Sequence, residues 1–73
     1  MKKTIYSKEH KYLVKQLRRA RLEVGLDQNE VARLLNVTQS YVSKLESGQR
    51  RIDTVQLKKF AKIYSKDILY FLK

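Results

Sequence analysis

The sequence predicts an all-α domain built from five short helices. Apolar residues recur at helical spacing along the chain, and no run alternates apolar and polar residues long enough to form a strand. Proline is absent, and the two glycines, Gly25 and Gly48, each follow a helix-like segment, where a left-handed residue commonly ends a helix. The chain has 73 residues, enough for one compact helical core, so we expect a single small domain.

The first helix is predicted to run from about Ser7 to Val24 and to end at Gly25. Its inner face is an apolar stripe, and Arg21 is the one charged residue that interrupts this stripe. An uninterrupted apolar stripe would be typical of a helix that lies on a membrane surface, so Arg21 argues against that alternative. The stripe consists of Leu13, Leu17, Ala20 and Val24.

The second helix is predicted to begin after Asp27. Glu30 follows three residues later, and this spacing is typical of a capping box, in which each side chain accepts a hydrogen bond from the backbone of the other residue. Asn36 is expected to end the helix, because asparagine tolerates the left-handed conformation. The inner face is formed by Val31, Ala32 and Leu35, whereas Leu34 falls on the side that should face water.

The third helix is predicted to begin after Thr38, a residue type that commonly caps helices. Val42 and Leu45 face inward at helical spacing, which leaves an outer face of small polar and charged residues. This outer face consists of Gln39, Ser40, Ser43 and Lys44.

Two further caps predict the remaining helices. Asp53 and Gln56 repeat the capping pattern at the start of a fourth helix, and Asp67 is placed to cap a short fifth helix over residues 68–72. The fourth helix is expected to bury Leu57, Phe60, Ala61 and Tyr64.

The charge of the chain favours a polyanionic partner. Seventeen Lys and Arg residues outnumber seven Asp and Glu residues, which gives a formal net charge of +10 at pH 7. Each cation that meets a phosphate releases a condensed counterion, so nucleic acid is the first candidate, and a solvated lysine-rich surface is the alternative. A basic surface does not identify a partner without a matching shape.

The composition makes an enzyme improbable. The chain has one histidine and no cysteine, and Glu30, Asp53 and Asp67 are better explained as helix caps than as catalytic acids. His10 lies among basic residues and is interpreted as a solvated side chain rather than a ligand. We identify no catalytic, cofactor or metal site. The basic first residues lack the apolar run of a signal peptide, so we expect a cytoplasmic protein.

The segment from Gln28 to Ser47 carries most of the functional information. It is predicted to form two short amphipathic helices joined by a tight turn, a layout that braces one helix and directs the other into the major groove of DNA. Its characteristic residues, with those that flank it, are Gly25-Leu26-Asp27-Gln28, Val31-Ala32, Asn36-Val37-Thr38, Val42 and Leu45-Glu46-Ser47-Gly48. With these features the chain resembles the lambda-repressor-like Cro/C1-type helix-turn-helix family, also called XRE, from about Tyr12 to Leu72. We therefore divide the chain into a basic N-terminal extension, residues 1–11, and a helix-turn-helix domain, residues 12–73.

The resemblance implies that the first turns of the third helix approach base edges. Gln39 is the best candidate, because one amide both donates and accepts and so pairs bidentately with adenine N6 and N7. Lys44 is expected to approach guanine acceptors or a phosphate. The ring of Tyr41 is expected either to contact thymine methyl groups or to cover the junction between helices. The candidate base-reading set is Thr38, Gln39, Ser40, Tyr41 and Lys44, with Ser43 nearby.

The resemblance also implies phosphate contacts. Gln28 opens the second helix, where the family places such a contact, and a helix N-terminus suits an anion. Arg50 and Arg51 follow the third helix in a loop that runs beside the DNA backbone in the family, so they are predicted phosphate clamps, with plain surface charge as the alternative. The further cations that could extend this footprint are Lys3, Lys8, Lys11 and Arg18.

Arg21 and Glu46 match two positions where the family often forms an ion pair between the first helix and the end of the third. If the pair is buried, Glu46→Ala should cost several kcal/mol of folding stability, because an unpaired charge is left behind. Four residues depart from the family pattern. Asn36 and Ser65 stand where glycine is usual, Ile52 where proline is frequent, and Lys66 where an apolar residue is usual.

The C-terminal run of apolar residues predicts self-association. One helix cannot turn all of these residues toward a small core, so we expect some to be exposed, and Tyr70 and Phe71 are the candidate seam of a homodimer. The family commonly binds DNA as a two-fold dimer, which demands a palindromic operator. The alternative is an apolar tail that folds back onto Ile5 and Tyr6.

Together these features predict a sequence-specific DNA-binding transcriptional regulator, acting as a repressor on a palindromic operator. The rival interpretation is a protein-interaction module, such as an antitoxin-like partner-binding protein that uses the same fold. The small polar outer face of the third helix favours DNA, because a protein-binding surface is usually richer in exposed large apolar groups.

Overall fold

The computed structural model describes residues 7–72. These residues form four α-helices and a C-terminal 3₁₀-helix, and no strand is found among them. The α-helices are α1 (Lys8–Glu23), α2 (Gln28–Leu35), α3 (Gln39–Glu46) and α4 (Thr54–Ile63), and the 3₁₀-helix spans Ile68–Phe71. The all-helical prediction is therefore confirmed, but the fifth element differs from the α-helix that was expected. None of the helices described is long and apolar enough to cross a membrane.

The last four helices begin directly after the caps that the sequence predicted, and α1 begins after Ser7, where the first helix was expected to start. The Asp27 carboxylate accepts from the backbone N–H of Glu30 at 2.8 Å, and the Glu30 carboxylate accepts from the backbone N–H of Asp27 at the same distance. This reciprocal pair is the capping box, and it satisfies two amides that the helix itself leaves free. Single caps begin the other helices, at Ser7, Thr38, Asp53 and Asp67.

Two residues with left-handed backbones replace the glycines that the family uses. Asn36 ends α2 with φ of +58°, and Ser65 follows α4 with φ of +57°. Asparagine enters this region readily, whereas serine pays a steric cost there. Both turns therefore have a left-handed residue without using a glycine.

The core is formed by one stripe from each helix. It includes the predicted inward-facing residues of α3 and α4, and Ala32 is almost fully buried against them. Val24, predicted on the inner face of α1, is 40% exposed because α1 ends one residue earlier. The fully buried apolar residues, each at most 1% exposed, are Leu17, Ala20, Val31, Val42, Leu45, Phe60, Tyr64 and Phe71.

The prediction that Phe71 is part of an exposed dimer seam is wrong. Phe71 is 0% exposed, and its ring meets that of Tyr70 edge-on at 5.1 Å between centroids. Because a 3₁₀-helix has three residues per turn, Ile68 and Phe71 share one side, which packs against the core, whereas Leu69 lies on another side. Leu69 is 68% exposed and Leu72 is 47% exposed.

His10 is also buried, although its basic neighbours suggested a solvated side chain. It is 9% exposed, and its Nε2 atom has no hydrogen-bond partner among the described residues. Its position explains this, since His10 precedes Leu13 by three residues and Leu17 by seven, and so lies on the inner stripe of α1.

Candidate nucleic-acid interface

The outer face of α3 is polar and held by a rigid inner face. Val42 and Leu45, at 0% and 1% exposure, fix α3 against the body of the domain. Val37, in the turn between α2 and α3, also packs against the core. This packing leaves Gln39, Ser40 and Lys44 exposed, as the sequence predicted, together with Thr38. Ser43, which the sequence placed on the same outer face, is half-buried.

Gln39 is joined to Gln28, the first residue of α2. Nε2 of Gln39 donates to Oε1 of Gln28 at 2.7 Å. Nε2 of Gln28 in turn donates to Oε1 of Glu46 at 3.0 Å. The exposed amide at the start of α3 is therefore the end of a hydrogen-bonded chain that leads back into the domain.

The inner end of this series of hydrogen bonds is the predicted ion pair between Arg21 and Glu46. Nε of Arg21 donates to Oε2 of Glu46 at 2.7 Å, and Nη2 donates to Oε1 at 3.0 Å, a bidentate geometry. The side chains are 10% and 5% exposed, and Nη1 of Arg21 also donates to the carbonyl of Leu26 at 2.9 Å. The hydrogen bond to Glu46 raises the pKa of Arg21 above its ordinary value. The pair thus ties α1 to the end of α3 and to the loop before α2.

Tyr41 covers the junction between α3 and α4. Its hydroxyl accepts from Nε2 of Gln56 at 3.3 Å, and its ring packs against the core. The guanidinium carbon of Arg50 lies 4.8 Å from the ring centroid, in a cation–π contact. Of the two interpretations left open by the sequence, this geometry favours the helix junction. Tyr41 therefore also fixes where Arg50 stands.

The predicted phosphate-binding cations lie on two parts of the surface. Arg50 and Arg51 are exposed in the loop between α3 and α4. Lys8, Lys11 and Arg18 are exposed on α1, whose first turn includes residues 8–11. Lys3 lies outside the described residues, as do Ile5 and Tyr6, so the predicted fold-back of the C-terminal segment onto them is not described.

A groove of about 510 Å³ lies on the surface between α1 and the end of α3. Val14 and Leu22 contribute apolar surface to it, and Leu22 is 57% exposed. Glu46, Ser47 and Gly48 line the opposite side. The cations that line the groove are Lys11, Lys15, Arg18 and Arg19.

Lys66, which replaces an apolar residue of the family pattern, has two partners. Its Nζ lies 2.8 Å from a carboxylate oxygen of Glu23 and 4.5 Å from the centroid of the Tyr70 ring. The hydrogen bond to Glu23 raises the pKa of Lys66 and lowers that of Glu23. The substitution therefore links the end of α1 to the C-terminal segment.

Sequence reasoning missed the link from Gln28 to Glu46. It assigned Gln28 to phosphate and Glu46 to Arg21, and treated the two roles as separate. The signal available in the sequence was that glutamine is the first residue of both α2 and α3, so two amides stand at adjoining helix ends. Within residues 7–72, no group of His, Asp and Glu residues is arranged to hold a metal ion.

Comparison with known proteins agrees with this architecture. Residues 17–71 match the helix-turn-helix family HTH_3. The chain is similar to the restriction-modification controller protein C.AhdI from Aeromonas hydrophila, known from a high-resolution crystal structure. The two are 27% identical with a TM-score of 0.81, and the alignment covers 90% of this chain and 100% of that chain. No curated protein matches the chain. Because the family match covers most of its length, this chain belongs to the Cro/C1-type helix-turn-helix family of DNA-binding transcription regulators.

Proposed function

We propose that this protein is a sequence-specific repressor that places α3 in the major groove of an operator. The observation that carries the proposal is the exposed Gln39 amide, held at the first turn of α3 by Gln28 at 2.7 Å. A side chain that is both exposed and held suits base reading, because little order is lost when it binds. The protein would act in the cytoplasm, where bacterial and phage operators lie.

The Gln39 amide has the groups that adenine requires. One N–H of Nε2 is used by Gln28, which leaves the second N–H to donate to adenine N7. Oε1 has no partner among the described residues and is free to accept from adenine N6. Ser40, Ser43 and Lys44 lie on the same outer face and are proposed to contact neighbouring bases or phosphates, with Thr38 at the helix start.

Phosphate contacts are proposed to set the position of α3 without reading sequence. Gln28 uses one N–H of its Nε2 on Glu46, so the second N–H remains for a phosphate oxygen at the N-terminus of α2. Arg50 and Arg51 are exposed beside the end of α3 and would neutralise further phosphates. Because Arg50 stacks on Tyr41, its guanidinium is already positioned before DNA binds.

We propose that the repressor acts as a homodimer on a palindromic site. In dimers of this class the reading helices lie about 34 Å apart, one helical turn of DNA. With Phe71 buried and Tyr70 half-buried, the proposed seam is formed by Leu69 on the 3₁₀-helix and Leu72 directly after it, which are both exposed. The similarity to C.AhdI suggests control of a restriction-modification system as one biological setting.

Selection from random duplex DNA at about physiological salt tests this function, because salt weakens non-specific phosphate binding. We expect two inverted half-sites to be enriched. Gln39→Ala should relax the preference at one base pair of each half-site, whereas Arg50→Ala should weaken binding to all sequences alike. Failure of the wild-type protein to enrich any sequence would contradict the proposal.

The groove between α1 and α3 favours a second candidate function, binding of a protein partner. Its apolar contacts, Val14 and Leu22, are flanked by four cations, a combination that matches an acidic amphipathic helix better than a bare phosphate backbone. Both functions are compatible, because the groove does not include the outer face of α3.

A synthetic helix with leucines on one face and glutamates on the other is a direct probe of the groove. Backbone amide NMR shifts should change at residues that line the groove, and Leu22→Asp should weaken binding. Leu34→Asp is the matched control, since Leu34 on α2 is 61% exposed and Leu22 is 57% exposed. Shifts at the same residues with duplex DNA but not with the peptide would assign the groove to the DNA backbone instead.

A further inference from the structure

We infer that Glu46 determines which purine Gln39 reads. Glu46 touches no base in this scheme, and it acts as a positioning residue through Gln28. The inference rests on the proposed function for its consequence in DNA binding. It rests on the geometry of the free protein for its cause.

A carboxylate only accepts hydrogen bonds, and this fixes the direction of the whole chain. Oε1 of Glu46 lies 3.0 Å from the Gln28 amide, so Gln28 must present Nε2 to it. The oxygen of the same amide then faces the other way, toward Gln39. A glutamine amide has one donor end and one acceptor end, so its orientation passes from one side chain to the next.

Gln39 must therefore donate a hydrogen bond from its own Nε2 to the Gln28 oxygen, and these two atoms lie 2.7 Å apart. The opposite orientation would place two amide oxygens against each other. Gln39 therefore offers one acceptor and one remaining N–H in a fixed order. Adenine, with a donor at N6 and an acceptor at N7, matches this pair, whereas guanine presents two acceptors at O6 and N7.

Arg21 fixes the Glu46 carboxylate that accepts the hydrogen bond from Gln28. Its guanidinium donates to both carboxylate oxygens, at 2.7 and 3.0 Å, in a site where the Glu46 side chain is 5% exposed. The guanidinium donates to both oxygens and Gln28 donates to one of them, so the carboxylate acts only as an acceptor in this site. The ion pair thus has a second consequence besides stability, because it determines the hydrogen-bonding pattern presented at the surface.

Glu46→Gln tests the inference with almost no change of shape. An amide at position 46 can donate as well as accept, so the direction of the chain is no longer fixed. Arg21→Lys is the matched control, because it weakens the same ion pair and leaves the carboxylate in place. Both variants should melt at a lower temperature than the wild type, and they should differ in what Gln39 presents.

The first readout is the side-chain amide NMR signals of Gln28 and Gln39 in the free protein. In the wild type and in Arg21→Lys, we expect the hydrogen-bonded N–H of each amide to exchange slowly with solvent. In Glu46→Gln both amides should exchange faster. Unchanged exchange at Gln39 in Glu46→Gln would overturn the inference without reference to DNA.

The second readout is the ratio of affinities for adenine and guanine at the base pair where Gln39→Ala loses preference. We expect the wild type and Arg21→Lys to favour adenine by at least about fivefold, and Glu46→Gln by less than about twofold. A Glu46→Gln protein that keeps the full adenine preference would overturn the inference. A wild-type protein without any sequence preference would contradict the proposed function instead. The amide signals would still test whether Glu46 orients Gln28 and Gln39.

Gln28→Met provides a test that leaves the ion pair intact. Methionine keeps the length of the side chain but cannot pass on the orientation, so we expect Gln39 to lose its fixed amide and the adenine preference to fall by the same factor as in Glu46→Gln. If Glu46→Gln fails to fold, this variant still tests the step from Gln28 to Gln39, without which Glu46 cannot act on Gln39. Retention of the preference in Gln28→Met would show that Gln39 is oriented by something else.

Discussion

Tyr64 is a buried residue that makes both favourable and unfavourable contributions to folding stability. It is 1% exposed, and its ring lies 5.9 Å from that of Phe60 between centroids. Its hydroxyl has no hydrogen-bond partner among the described residues. Burial raises the pKa of Tyr64 well above its ordinary value of 10.0, and the nearby Glu46 carboxylate raises it further. The ring stabilises the core, and the hydroxyl opposes this.

We predict that Tyr64→Phe leaves stability unchanged or raises it by about 1 kcal/mol at neutral pH, because it removes an unsatisfied buried hydroxyl. In the folded wild type the neutral phenol is favoured. The contribution of this neutral phenol to the free energy of unfolding is therefore fully present below pH 10 and is lost as the pH rises above that value. Urea unfolding at about pH 8 and about pH 11 should show a smaller alkaline loss for Tyr64→Phe than for the wild type. A variant less stable than wild type at both values would contradict this account.

Residues whose role depends on sequence neighbours could be predicted, and residues whose role depends on tertiary neighbours could not. The caps at Asp27 and Thr38 follow from local spacing and are confirmed. The hydrogen bond from Gln28 to Glu46 joins residues 18 positions apart, and no local pattern encodes it. His10 is a different case, because the helical period places it on the inner face of α1 although its sequence neighbours are charged.

At the scale of elements, the C-terminal segment shows why helix type was harder to predict than helix position. Asp67 caps it as expected, through its Oδ1 atom and the N–H of Leu69 at 2.9 Å. The apolar run after it fits a period of 3.6 poorly, because one face cannot hold all of its members. A period of three resolves this by placing Ile68 and Phe71 against the core and leaving Leu69 exposed. The sequence indicated the conflict but not its solution.

The turn after α4 gives an element-scale prediction. Ser65 has φ of +57°, where a side chain is strained, so Ser65→Gly should stabilise the protein by about 1 kcal/mol. Ser47→Gly is the matched control. Ser47 ends α3 with φ of −89°, where glycine brings no relief, so this change should destabilise by about 0.5–1 kcal/mol. Thermal unfolding followed by circular dichroism measures both, and equal shifts of the same sign would contradict the argument.

At the scale of the whole molecule, the net charge of +10 should control affinity through salt. We predict that log affinity for DNA falls linearly with log salt concentration, with a slope of about −0.9 for each phosphate neutralised. Arg50→Ala should make the slope shallower by about one phosphate, and the uncharged change Gln39→Ala should leave it unaltered. Fluorescence anisotropy titrations over a series of salt concentrations measure the slope. Equal slopes for wild type and Arg50→Ala would remove Arg50 from the phosphate contacts.

Assembly gives the second prediction at this scale. Leu69→Glu should convert a dimer to a monomer, because it places a charge on the exposed side of the 3₁₀-helix. Leu34→Glu changes a residue of similar exposure on α2, 61% against 68%, and should leave the dimer intact. Sedimentation velocity at high micromolar concentration distinguishes the two. A wild-type protein that is monomeric under these conditions would count against the proposed homodimer.

The series of hydrogen bonds that joins Arg21, Glu46, Gln28 and Gln39 also affects how the loss of conformational entropy divides between folding and DNA binding. A free glutamine side chain loses rotamer entropy when it is fixed, at a cost of up to about 2 kcal/mol. Here Gln28 and Gln39 are already hydrogen-bonded in the folded protein, so most of this loss accompanies folding. If Gln39 reads a base as proposed, the complex with DNA then forms with a smaller entropic penalty at this side chain. Variants that free Gln39 should therefore shift binding toward a more favourable enthalpy and a less favourable entropy, even where the affinity changes little.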